Sequence, residues 1–98
     1  MNRLRDIYDE TVRILILRFL DNEPSGALPA VMLVDALKDS GTPVSSERAS
    51  AHLEWLDEQR LIEFRRDETL PRAEITKRGQ EVAQGVIAVS GVRHPRRL

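Results

Sequence analysis

Apolar positions recur along the first twenty residues at a spacing of three or four, which is the period of an amphipathic helix. The stripe consists of Leu4, Tyr8, Val12, Leu15 and Phe19. Residues 14–20 are in addition apolar around most of the helix, and such a helix needs cover on all sides. We predict a helix that is capped by Asn2 and ends near Leu20. Its cover is either a second copy of the chain or the other helices of the same chain.

Two further helices follow the turn sequence "DNEPSG". Pro29 is the predicted first residue of the second helix, which ends near Ser40 with Gly41 as its C-terminal cap. The third helix opens at Ser45 or Ser46, because either hydroxyl can accept a hydrogen bond from the first-turn amides. Its predicted inward stripe is Ala49, Leu53 and Leu56.

The remaining chain predicts two strands and a last helix. Alternation in "LIEFRR" places Ile62 and Phe64 on one face, and "RAEIT" does the same for Ala73 and Ile75. The short turn "DETLP" between them predicts a hairpin. Thr76 then caps a last helix, whose predicted inward residues are Val82, Ala83 and Val86.

This order of elements predicts a mainly α fold with a small β-hairpin: a winged helix-turn-helix with a three-helix core, a two-stranded wing and a C-terminal helix. Residues 1–88 form the predicted domain. Residues 89–98 carry Gly91, Pro95 and three arginines and have little to bury. We expect them to form a flexible basic tail.

The stretch "HLEWLDEQRLIEF" resembles the end of the recognition helix and the start of the wing in ArsR-like and MarR-like winged-helix repressors. The matching positions are Leu53, Leu56, Leu61 and Ile62. Glycine usually precedes the last pair in those families, whereas Arg60 stands there in this chain. We therefore expect a strained or differently capped turn at residue 60.

A longer resemblance extends over nearly the whole chain. "RILILRFL", "HLEWLDEQRLI", "ITKRGQEVAQG" and "GVRHPRR" together resemble a small winged-helix protein of Mu-like phages and prophages. The resemblance implies a phage origin and a cytoplasmic setting in a bacterial host, without an established biochemical activity. Such proteins tend to be encoded near lysis and DNA-packaging genes, which keeps an assembly or packaging role open.

The composition limits the kinds of functional site that we expect in this chain. The chain has no cysteine and only two histidines, so we expect no metal site, no cofactor and no catalytic residues. His52 with Ser50 or Asp57 does not assemble a nucleophile, a base and an orienting group around a cleft, so an enzyme is not expected. No apolar run is long enough to span a membrane, and the N-terminus does not resemble a signal peptide. A cytoplasmic protein without a membrane partner is the expectation.

The chain has a net charge of −1, but its charged residues are distributed unevenly along the sequence. Residues 1–60 hold 7 basic and 11 acidic side chains, and residues 61–98 hold 8 basic and 5 acidic ones. The third helix sets Glu47, Glu54, Asp57 and Glu58 against Arg48 alone, which is unfavourable next to DNA phosphates. The candidate DNA-binding residues are Ser45, Ser46, Arg48 and Ser50 in the third helix, Arg65, Arg66 and Arg72 around the wing, and Arg93, Arg96 and Arg97 in the tail.

Two functions remain open from the sequence. The first is a phage-derived transcriptional regulator that binds double-stranded DNA, as a homodimer through its first and last helices. Its third-helix first turn and its arginines would contact DNA, and the end from Glu54 to Glu58 would face away. The alternative is a protein-interaction module in phage assembly or packaging, which the acidic outer face of the third helix favours. Independently of that choice, the wing and tail arginines either contact DNA or form a solvated surface paired with Asp67, Glu68 and Glu74. The pair His52 and Trp55 fits either a partner contact or the core.

Overall fold

The computed structural model of the protein describes residues 3–67 and 69–98, so the predicted cap Asn2 lies outside the described residues. The elements are α1 (Arg3–Asn22), β1 (Ala27–Pro29), α2 (Ala30–Asp39), α3 (Ser46–Glu58), β2 (Ile62–Arg65), β3 (Arg72–Ile75), α4 (Lys77–Ala83) and a 3-10 turn (Pro95–Arg97). The fold is mainly helical, with a three-stranded antiparallel sheet in the order β1–β3–β2. It is compatible with the expected architecture.

The predicted hairpin is present. Ile62 pairs with Ile75 and Phe64 with Ala73, so the apolar positions of both strands share the face toward the core. The side chains between them, including Glu63, lie on the solvent face.

The prediction of a two-stranded wing is incomplete, because β1 adds a third strand along the other edge of β3. Pro29 ends this strand and is not the first residue of α2: its φ of −61° and ψ of 145° are extended. Proline suits this place, since an edge strand has an outer side where no amide hydrogen is required. The helix starts at Ala30, whose N–H donates to the carbonyl of Pro71 over 2.8 Å.

Three predicted helix ends are confirmed. The Ser45 hydroxyl accepts a hydrogen bond from the amide of Arg48 at 3.1 Å, and the Thr76 hydroxyl accepts one from the amide of Gly79 at 3.0 Å. Gly41 follows α2 with φ of +85°, the left-handed conformation that ends many helices. Each of these ends depends on chemistry within a few residues.

Arg60 also has a left-handed backbone, with φ of +63°. A side chain disfavours this conformation, so the turn at Arg60 is strained. Two hydrogen bonds hold the turn: Leu61 N–H donates to the Leu56 carbonyl at 3.0 Å, and the Thr76 hydroxyl donates to the Arg60 carbonyl at 2.8 Å. The expected unusual turn is therefore present and is held by the residue that also caps α4.

The last helix is shorter than predicted. Val82 and Ala83 are buried as expected, but α4 ends at Ala83 and Gly85 turns the chain with φ of +77°. The prediction that Val86 points inward is wrong, because this turn leaves its side chain 66% exposed.

The apolar surplus of α1 is buried within the chain itself. Ile14, Ile16, Leu17 and Leu20 have no exposed surface. Three residues that follow α4 are partly buried against the core, and these are Ile87, Val89 and Val92. The homodimer prediction thus loses the apolar surface on which it rested and stays a prediction.

Candidate functional site

A cleft of about 280 Å³ opens between α2, α3 and the hairpin. Its lining residues are Ala30, Val31 and Val34 from α2, Ser46, Ala49 and Ser50 from α3, and Phe64, Arg66 and Pro71 from the hairpin. We refer to this surface as the α2–α3 cleft. It brings together three of the predicted DNA-binding residues, Ser46, Ser50 and Arg66, but it does so around an apolar floor.

The outer side of α3 beside this cleft is acidic. Glu47, Ala51, Glu54 and Glu58 follow one another at spacings of four, three and four, and so they lie along one line of the helix. We call this line the acidic ridge. Glu47 and Glu58 are exposed, and Glu54 pairs with Arg66 of the hairpin. Glu54, in the acidic end of α3, therefore contacts the hairpin, and the expectation that this end faces away from DNA stays a prediction.

The first turn of α3 is engaged with its own chain. Ser45 caps the helix, and Nη2 of Arg48 donates to Oδ1 of Asp9 on α1 at 3.0 Å. Arg48 is partly exposed, but its charge is compensated by that carboxylate. The predicted contact of Arg48 with DNA would require this pair to open or to be shared with a phosphate.

The hairpin arginines are compensated in part. Arg65 pairs with Glu63 at 3.3 Å, and Arg66 lies over the ring of Phe64 at 5.7 Å while it pairs with Glu54. If the hairpin is a solvated surface, its arginines are expected to pair with Asp67, Glu68 and Glu74. Arg65 and Arg66 pair with neither Asp67 nor Glu74, and Glu68 lies outside the described residues. Arg72 is exposed and stands directly opposite Arg65 in the strand pairing.

The three arginines of the predicted tail lie against other surfaces. Arg93 and Arg97 line a groove with Asp6 and Glu10 of α1, and Arg96 lines a depression with Arg18 and Asp21. The backbone amide of Arg93 donates to the carbonyl of Glu10 at 3.2 Å. Neither surface shares a residue with the α2–α3 cleft. The mobility of residues 89–98 stays a prediction.

Arg13 joins α1, α3 and the C-terminal segment, and it is not among the functional residues that the sequence predicts. Its guanidinium lies 4.0 Å from the centre of the Trp55 ring, donates through Nη1 to the Gly91 carbonyl at 2.9 Å, and donates through Nε to Nδ1 of His52 at 3.2 Å. The sequence contains one signal for this role, a lone cation between Val12 and Ile14. A charge in such an apolar stretch needs partners elsewhere in the fold. His52 and Trp55 thus serve an internal contact.

The His52 ring is 4% exposed and is held on both sides. Since Nδ1 accepts from Arg13, the proton of the neutral ring lies on Nε2, which is 3.4 Å from Oδ1 of Asp9. Burial is the larger cause that lowers the pKa of His52, the Arg13 guanidinium is the second, and Asp9 offsets part of the effect. The folded protein therefore favours neutral His52.

We predict that acidification from pH 7.5 to 5.5 lowers the free energy of unfolding through His52. Its pKa is lower in the folded state than the unfolded value of about 6.5, so the unfolded chain binds more protons on acidification. The stabilisation is present above that unfolded value and is lost as the pH falls through the folded pKa. Urea unfolding at each pH measures it.

Histidine replacements separate this effect from general acid unfolding. His52→Asn keeps an acceptor for Arg13 and should flatten the pH dependence. His94→Asn is the control for the loss of a histidine, because it removes the other histidine and none of the contacts of His52. Equal slopes for the wild type and His52→Asn would refute the assignment.

No helix in residues 3–67 and 69–98 is long and apolar enough to cross a membrane, and the same residues hold no group of three or more side chains suited to a metal ion. The chain matches no protein-family model, and no solved structure matches it. It is 34% identical over 96 residues to a protein of Escherichia phage Mu named "Uncharacterized protein gp26", which covers 95% of this chain and 96% of that one. The chain therefore belongs to the family of the phage Mu protein gp26.

Proposed function

We propose that this Mu-family protein is a winged-helix interaction module, not an enzyme, and that it binds a protein partner at the α2–α3 cleft instead of reading duplex DNA with α3. The observation that carries the proposal is the acidic ridge beside an apolar cleft. The succession of α1, β1, α2, α3, a hairpin and α4 supports the winged-helix interpretation. The phage family is in keeping with a role in assembly or packaging.

Electrostatics argues against α3 as a reading helix. It carries four carboxylates and one guanidinium, and Asp9 already holds that guanidinium. Affinity for duplex DNA depends largely on cations that neutralise phosphates, and carboxylates at the same distance oppose it. The hairpin adds little, since Glu63 and Glu54 hold two of its arginines and its turn carries Asp67.

The cleft offers what a protein partner requires. Exposed apolar surface beside polar residues is characteristic of protein-binding sites. Val31 of α2 is 57% exposed and Phe64 of β2 is partly exposed, and both side chains line the cleft. Burial of these side chains by a partner would be favourable, whereas DNA offers few apolar groups to cover them.

We predict that charge inversion on the ridge creates DNA binding that the wild type lacks. Wild-type protein should show no binding to random duplex DNA at physiological salt of about 0.15 M. Glu47→Lys/Glu58→Lys should bind the same DNA, and its affinity should fall as salt rises, because phosphates then meet cations. Fluorescence anisotropy of labelled duplex measures both.

A control with the same change of net charge tests whether position matters. Glu23→Lys/Asp39→Lys inverts two carboxylates outside α3 and the hairpin, and should gain much less affinity. Binding by the wild type at physiological salt would overturn the proposal.

The second candidate is a DNA-binding transcriptional regulator, and one observation favours it. Arg65 and Arg72 stand opposite each other on the hairpin, and a bound phosphate would relieve the repulsion between them. In that case Arg65→Ala/Arg72→Ala should abolish binding to duplex DNA at low salt. The tail arginines Arg93, Arg96 and Arg97 would contribute only if their segment left α1.

A further inference from the structure

The α2–α3 cleft is shaped for one or two apolar side chains. Its volume of about 280 Å³ lies at the lower end for ligand pockets. The contribution of α2 is Ala30, Val31 and Val34, and that of α3 is Ser46, Ala49 and Ser50. Each set covers about one helical turn, and so the cleft is about one turn long.

A groove of this length between two helices matches the anchors of a third helix. An amphipathic helix presents apolar side chains at positions i and i+4, about one turn apart, and lays them into such a groove. The walls are formed mostly by side chains of regular elements, with Arg66 and Pro71 from the connection of the hairpin, so the site exists before a partner arrives.

The charges around the cleft determine which charge the polar side chains of that partner helix should carry. On α3, Asp57 follows Ser46 and Ser50 along one stripe, and Glu47 and Glu54 occupy the adjacent stripe. Arg66 is the only cation that lines the cleft within the described residues, and Glu54 pairs with it. A partner with lysines or arginines beside its apolar anchors would meet the exposed carboxylates of Glu47 and Asp57.

We infer that the α2–α3 cleft binds a basic amphipathic helix of a partner protein, an inference that rests on the proposed function. The apolar anchors of that helix enter between Val31, Val34 and Phe64. Its basic residues lie along the acidic side of α3. The same carboxylates that repel DNA thereby give the site its selectivity, because opposite charges steer and orient a partner.

The test uses two synthetic amphipathic peptides of equal length, with leucine at i and i+4 and either lysine or glutamate at the remaining positions. Fluorescence anisotropy measures the binding of each labelled peptide to the full chain. We expect the lysine peptide to bind about tenfold more tightly at low salt. Val31→Ser should weaken this binding about fivefold through the loss of apolar contact.

Matched variants locate the binding. Val86→Ser changes a valine of comparable exposure on another surface, and should leave the affinity unchanged. Glu47→Gln/Asp57→Asn should remove most of the preference for the lysine peptide, and circular dichroism verifies that each variant is folded. Three results would overturn the inference. They are binding that Val31→Ser leaves unchanged, no binding of either peptide, and equal binding of both peptides.

These failures are separate from a failure of the proposed function. Equal binding of both peptides that still depends on Val31 would leave a protein-binding cleft and remove only its preference for a basic partner. Binding of duplex DNA by the wild type at physiological salt would instead overturn the proposed function itself.

Discussion

We expect Gly79→Ala to lower the free energy of unfolding by about 3 kcal/mol or more. In an ordinary helix the same exchange raises stability by about 1 kcal/mol, because alanine is the better helix former. Gly79 lies in the first turn of α4 and has an ordinary helical backbone, so propensity alone predicts a gain. The sign of the change therefore distinguishes packing from propensity.

The loss follows from the approach of α4 to the hairpin. A Cβ at position 79 would overlap the carbonyl oxygen of Leu61 and lie 2.7 Å from Cγ1 of Ile75. Neither neighbour can give way cheaply, since the Leu61 carbonyl accepts the amide of Thr76 at 3.1 Å and Ile75 is buried in β3. The helix would have to move away from the sheet, and the core beneath it would open.

Urea unfolding followed by far-ultraviolet circular dichroism measures this loss. Gly41→Ala is the control, because position 41 has φ of +85° but no atom within 4 Å of the added Cβ. It carries only the backbone strain, about 1 to 2 kcal/mol. A stable Gly79→Ala protein, or equal losses for both variants, would contradict the close packing of α4.

Features that depend on near neighbours could be predicted from the sequence. The caps at Ser45 and Thr76 need only a hydroxyl and an amide three residues later. The face of the hairpin follows from strict alternation of Ile62 and Phe64 with charged residues. In both cases the physical cause lies within one turn or one strand.

Features set by distant partners could not be predicted. β1 has three residues, and its pairing with β3 joins positions more than forty apart, so no local pattern announces it. The packing of Gly91 on Trp55 depends in the same way on where the C-terminal segment runs. The same holds for the candidate DNA-binding arginines. Their number can be read from the sequence, but the ion pairs of Arg48 with Asp9 and of Arg66 with Glu54 depend on the fold.

Arg13→Ala is the second substitution with a large expected effect, a loss of about 2 to 4 kcal/mol in the free energy of unfolding. It removes the donors to His52 and to the Gly91 carbonyl and uncovers one face of Trp55. A hydrogen bond from a charged donor contributes about 1.5 to 3 kcal/mol, and the stacking on tryptophan adds about 0.5 to 2 kcal/mol. The partly buried acceptors left behind would account for part of the loss.

The loss of stability should be concentrated in the C-terminal segment. This would show that Arg13 holds that segment against α1 and is more than a general core contact. Hydrogen exchange of the Arg93 amide, which donates to Glu10, should accelerate more than that of amides within α1. Arg18→Ala, on an exposed position of the same helix, should change stability by less than about 0.5 kcal/mol. Circular dichroism is the appropriate probe of unfolding, since Arg13 contacts the single tryptophan and its removal would alter fluorescence directly. Unchanged exchange at Arg93 in Arg13→Ala would show that the segment is held by its apolar residues, and then the guanidinium would serve α1 and α3 alone.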